Sequence, residues 1–252
     1  MRCCHFSVGA YSGHKQRKLQ LEAGPGAARD ILRRSVGIGE EFSELELSVC
    51  EYPRHAEDLE VFSPAHFDGL IQVISTYYTH LQSLTLTFER PIKFDLSSTA
   101  LIPLARCSSI ETFSLHIDGR TVNSILPQCA LGELVTGWPL LRSLSLLWWS
   151  TRTKSTRPPG YTWNTFVHLS SLCPELRSLR ISSFDSSQAI PELDESPTSR
   201  LFSLTVSHAP TIPDPAHVVA FFGRLWPTLH LEVSGTETVM KKWTAVQKLL
   251  RS

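Results

Sequence analysis

The chain has no long apolar run, no net charge and none of the short signatures that announce chemistry. Its apolar runs fall far below the ~18 residues needed to span a bilayer, so no transmembrane helix is expected. Its 24 basic residues balance 24 acidic ones, so no global charge draws it to nucleic acid or to an anionic membrane. Six cysteines (Cys3, Cys4, Cys50, Cys107, Cys129 and Cys173) form no C-x-x-C pair, and the first residues hold no apolar core of signal-peptide length. Reduced thiols in a soluble, cytoplasmic or nuclear protein are the expectation.

Chemical signatures are equally scarce. There is no G-x-S-x-G, no P-loop, no G-x-G-x-x-G after a strand and no H-E-x-x-H. Cys3-Cys4-His5 and Cys50 with His55 have metal-ligand residue types, yet no further residues complete a tetrahedral set. His116 and His208 each follow a strand pattern and read as partly exposed structural histidines. The chain is therefore expected to be no enzyme, with no catalytic residue, no metal and no cofactor.

What the sequence does have is a repeated phrase. Cys173-Pro-Glu-Leu-Arg-Ser-Leu-Arg-Ile181 and Trp138-Pro-Leu-Leu-Arg-Ser-Leu-Ser-Leu146 carry the same order, L-x-x-L-x-L, which is the strand signature of a leucine-rich repeat. Further copies run through Leu45, Leu84, Phe113, Leu204 and Leu231, giving seven marker positions at intervals of 25 to 39 residues. Regular leucine-rich repeats run ~20–29 residues, so the array is stretched and irregular. Chance alone supplies some L-x-x-L-x-L in an apolar protein. Two nearly identical copies and helix-length spacers argue against chance here.

The fold class expected is α/β: an irregular leucine-rich-repeat solenoid, with parallel strands on the concave face and helices and loops on the convex face. Residues 1–40 scatter six glycines among polar and basic residues and sustain no apolar period, so a poorly ordered or loosely packed segment is expected there. Residues 41–252 form the repeat domain. Within it, Ser63-Pro64 opens an amphipathic helix, and helical patterns follow at 97–106, 122–135 (broken or kinked at Pro127) and 162–172. A basic loop is expected over 150–160, and loop or a single turn over 182–200. Asp214-Pro215 is the cleanest helix start. Val239, Trp243, Val246 and Leu250 mark a capping helix over 236–251, which a solenoid needs because its last repeat has no neighbour.

From about Glu41 to Leu250 the chain resembles the leucine-rich-repeat region of the large fungal, basidiomycete-type, F-box-like protein family. The residues carrying the likeness are Trp138-Pro-x-Leu-Arg-Ser-Leu144 and Phe166-x-x-Leu-Ser-x-x-Cys-Pro-x-Leu-Arg-Ser-Leu179. Asp214-Pro-Ala-x-Val-Val-Ala-Phe-Phe222, Trp226-Pro and Trp243-x-x-Val-x-x-Leu-Leu250 continue it. The resemblance implies the substrate-recognition arm of a cullin–RING ubiquitin ligase, holding a protein substrate. Residues 1–40 contain no F-box opening phrase, so the ligase adaptor is a partner only if an F-box exists upstream. The alternative is a stand-alone interaction scaffold with no ligase role.

In such a repeat the leucines face the core, and alternate strand residues line the concave surface. Thr85, His116 and Arg180 are the candidates on that face. Beyond it, Trp148, Trp149, Arg152 and Arg157 supply the aromatic and arginine anchors that dominate binding energy. Neither nucleic acid nor membrane is an expected partner, and a monomer is expected.

Overall fold

The computed structural model describes residues 5–10, 17–35, 42–50, 63–89, 99–118, 126, 128–149, 161–193, 200–212 and 214–251. Nine strands form one sheet in strict chain order: β1 (His5–Ala10), β2 (Arg17–Ala23), β3 (Phe42–Cys50), β4 (Ser83–Glu89), β5 (Thr112–Asp118), β6 (Ser143–Trp149), β7 (Ser178–Ile181), β8 (Ser203–Val206) and β9 (His230–Val233). β1 runs antiparallel to β2. The remaining eight strands are all parallel. Among the described residues, six α-helices and a 3₁₀ segment lie between or after them: α1 (Pro25–Arg34), α2 (Pro64–Tyr77), η1 (Ile102–Arg106), α3 (Gln128–Thr136), α4 (Trp163–Leu172), α5 (Pro215–Leu225) and α6 (Glu237–Leu250). The architecture is α/β and compatible with a solenoid, each strand lying beside the one before it in sequence.

The apolar triplets explain the register. Leu19, Leu45, Leu84, Phe113, Leu144, Leu179, Leu204 and Leu231 are paired strand to strand in one row, and all are buried. A second row runs from Leu21 through Leu47, Leu86, Leu115, Leu146, Ile181 and Val206 to Val233. Because the side-chain period of a strand is two, a slip of one residue would turn the whole set outward; the buried face fixes the pairing.

A turn precedes most strands and recurs with little change. Tyr78, Cys107, Trp138, Cys173 and Trp226 each close the preceding helix or 3₁₀ segment through the backbone N–H. Each carbonyl then accepts from the N–H three residues on: Leu81, Ile110, Leu141, Leu176 and Leu229. All ten side chains are buried. The cysteines at 107 and 173 thus occupy a position that elsewhere holds a buried aromatic. Burial pushes their thiols up, to about 11 and about 12, which leaves them neutral and unreactive.

Residues 17–35 are not the loosely packed segment expected of 1–40. Leu19, Leu21 and Ala23 alternate into the core, and Ala28 and Leu32 bury one side of α1. The Tyr78 hydroxyl, buried and pushed up to about 12 mainly by that burial, donates to the Leu32 carbonyl at 2.9 Å. The segment adds a parallel strand ahead of the first triplet read from sequence. One helical expectation also changes: the described part of the 97–106 pattern holds only the short η1. As expected of a pattern interrupted at Pro127, α3 begins at Gln128. The C-terminal helix packs on α5 and β9, burying Trp243 and Val246.

Candidate functional site

The strand residues between the buried rows form a polar face. Gln20, Glu46, Thr85, Ser114, Ser145, Arg180, Thr205 and Glu232 stand in one register row across eight strands. Beside them run Glu22, Ser48, Thr87, His116 and Leu147. On the other side run Lys18, Glu44, Ser83, Thr112, Ser143, Ser178, Ser203 and His230. Apart from Ser145, these residues are half-buried or exposed. The centre is lined by hydroxyls, flanked by charge at both ends. At the β2–β3 end Lys18 pairs with Glu46. At the far end Thr205 donates to Glu232 at 3.4 Å, and His230 lies 3.4 Å from the same carboxylate.

Thr85, His116 and Arg180 therefore share one face, on β4, β5 and β7. Trp148 and Trp149 do not lie in a loop beyond it: both belong to β6, where Trp148 is in register with Ile117 and Trp149 with Asp118. Arg152 and Arg157 lie outside the described residues, as does the whole of the expected 150–160 loop. Tyr161, which follows that loop in the sequence, is buried in the core. Its carbonyl accepts from the Asp185 N–H at 2.7 Å.

One row escaped the sequence reading. The residue just before each strand's first face position continues the backbone ladder: Gln82, Glu111, Arg142, Arg177 and Phe202 each donate to the carbonyl of the previous member, starting from Ser43. These residues occupy the variable place in Leu81-Gln-Ser-Leu84, Leu141-Arg-Ser-Leu144, Leu176-Arg-Ser-Leu179 and Leu201-Phe-Ser-Leu204. The constancy of that phrase was the available signal: a position that varies inside a fixed frame is free of core duty. Arg142 pairs with Glu111 at 3.0 Å. Arg177, Arg180 and Phe202 are exposed, Phe202 to 62 %.

Groups capable of chemistry do not converge among the described residues. Among the described residues no three His, Cys, Asp or Glu side chains are placed to hold a metal ion. Ser63 Oγ lies 2.9 Å from His66 Nδ1, but the pair forms a reciprocal cap on the first turn of α2. No helix among the described residues is long and apolar enough to cross a membrane. No protein-family model matches the chain, and no curated protein is significantly similar to it.

Proposed function

We propose that the chain is a protein-binding leucine-rich-repeat module, the substrate-recognition arm of an F-box-type ubiquitin ligase component. The observation that carries this reading is the register: eight parallel strands keep their leucines on one side and a continuous polar surface on the other. Nothing in that surface is built to transform a ligand, and we read the chain as no enzyme. Helix α6 acts as the end cap. Gln247 donates from Nε2 to the Leu231 carbonyl at 3.0 Å, satisfying a backbone group on the terminal strand.

The second reading is a stand-alone scaffold of the same fold, binding protein through the same polar face with no ligase role. Affinity purification separates the two. Recovery of a cullin or its adaptor with the chain supports the ligase role. Recovery of a stoichiometric protein partner without either supports the scaffold. Thr85→Arg with Ser114→Arg, both on the polar face, is expected to release that partner while the fold remains intact by circular dichroism. Unchanged binding would move the site away from this face.

A further inference from the structure

We propose that the rim of β6–β8 docks an extended acidic segment of a partner protein, one that carries an apolar side chain beside its carboxylates. The inference rests on the reading of the polar face as a protein-binding surface, and adds where on it the partner sits and what chemistry it brings.

The rim row changes character along the sheet, from Gln82 and Glu111 to Arg142, Arg177 and Phe202. Adjacent strands lie ~4.8 Å apart, so the last three occupy ~10 Å of rim. Arg180 projects from the same strand that Arg177 precedes, in register between Ser145 and Thr205. Among the described residues, neither Arg177 nor Arg180 has an ion pair or a side-chain hydrogen bond. The partner of Arg142, Glu111, forms a pair that is itself half in water. Guanidinium forks match carboxylates two bonds at a time, which makes such arginines sites for acidic ligands rather than stabilisers of the fold.

A single exposed aromatic is ordinary on a protein surface. Phe202 differs in its neighbours: it is the most exposed large apolar side chain among the described residues, and it stands next to Arg177 on the ladder. Arginine and an aromatic side by side make the composition of a binding hot spot. The opposite end of the face supplies the direction. There Glu44 and Glu46 stand on β3 while Lys18 of β2 pairs with Glu46, so the excess of carboxylate at that end disfavours an acidic chain and favours β6–β8.

Selection from a random-peptide display library against the full chain tests this. Enriched peptides are expected to place Asp or Glu within a few residues of an apolar side chain. Synthesised singly, they are expected to bind about tenfold more weakly for each arginine removed in Arg177→Ala and Arg180→Ala. Phe202→Ser is expected to weaken them further, and Arg33→Ala with Arg34→Ala on α1 to leave them unchanged. All of these positions are exposed, so the variants keep the fold. Peptides that ignore the arginines but are lost with Thr85→Arg overturn the rim and leave the polar face standing. Peptides insensitive to both, or no enrichment against folded protein, overturn both. A single-stranded oligonucleotide that binds through the same arginines more tightly than any selected peptide also overturns the proposal.

Discussion

The two halves of the sheet are built differently. From β3 to β6 the strands are seven to nine residues long, and the layer behind them is a succession of helical segments. There α2 packs on η1, η1 on α3 and α3 on α4. From β7 to β9 each strand has four residues, and the described part of the β7–β8 connection contains no helix. Aromatic rings take the helix's place. Trp163 of α4 lies 4.8 Å from Phe184 in that connection, and 5.5 and 6.0 Å from Phe221 and Phe222 of α5. Phe166 contacts Phe184, Phe222 and Trp226 edge-on. A ring buries far more area than a leucine and packs well edge to face, so a few of them bridge the gap a missing helix would leave. Backbone fills the first half; side chains fill the second.

The contrast can be broken most forcefully at its centre. Trp163→Ala is expected to cost ~3–5 kcal/mol, because the facing rings sit on different elements and cannot all close on the void. Urea denaturation measures it, and a cost no larger than that of a surface substitution would remove the rings from their filling role. In the first half the sensitive feature is close approach. A Cβ on Gly137 would stand 2.4 Å from the Ala105 carbonyl oxygen, so Gly137→Ala is expected to cost ~1–3 kcal/mol in the same measurement by forcing α3 off η1. Smaller again is the loss at the start of α5. Asp214 Oδ1 accepts from the Ala216 N–H at 2.9 Å, and Asp214→Ala is expected to cost ~1 kcal/mol. A Tm that does not move would mean that the aromatic layer, not the cap, positions that helix.

The smallest effect at neutral pH spans both halves. Burial raises Cys107 from 9.0 to about 11 and Cys173 from 9.0 to about 12, and raises Tyr78 from 10.0 to about 12. The fold holds the neutral forms, so their contribution is complete below pH 9 and is lost as pH rises from 9 towards 12. A denaturation midpoint that is level up to pH 9 and then falls is the expected profile. A midpoint that instead rises above pH 9 would contradict the buried placement of these groups.

The sheet was legible because its signal is redundant. Seven apolar triplets each propose the same pairing, and a fold that stacks neighbours needs no long-range information to order them. β2 was not, because Arg17-Lys-Leu-Gln-Leu-Glu-Ala23 offers two leucines and an alanine among charges, and its partner helix buries only Ala28 and Leu32 on their own. Such a segment becomes ordered by docking on β3 and α2, which local periodicity does not register. The polar face followed from strand alternation once the triplets were found. Trp148 and Trp149 did not, because β6 stays level with β5 but runs three residues past β7, and such an overrun looks like the start of a loop. The Arg142, Arg177 and Phe202 row was overlooked for a different reason: it lies ahead of the strands, where alternation has not yet begun.

The unbroken register also sets a ruler for whatever lies across the face. Successive strands present equivalent positions every ~4.8 Å, whereas an extended chain advances ~3.3 Å per residue. The two scales coincide after about three ligand residues and two strands. An extended partner crossing β6 to β8 would thus meet the surface in step at every third residue, with the intervening ones out of phase. Its sequence would need to be read in threes, a periodicity unlike the alternation of a strand added at a sheet edge.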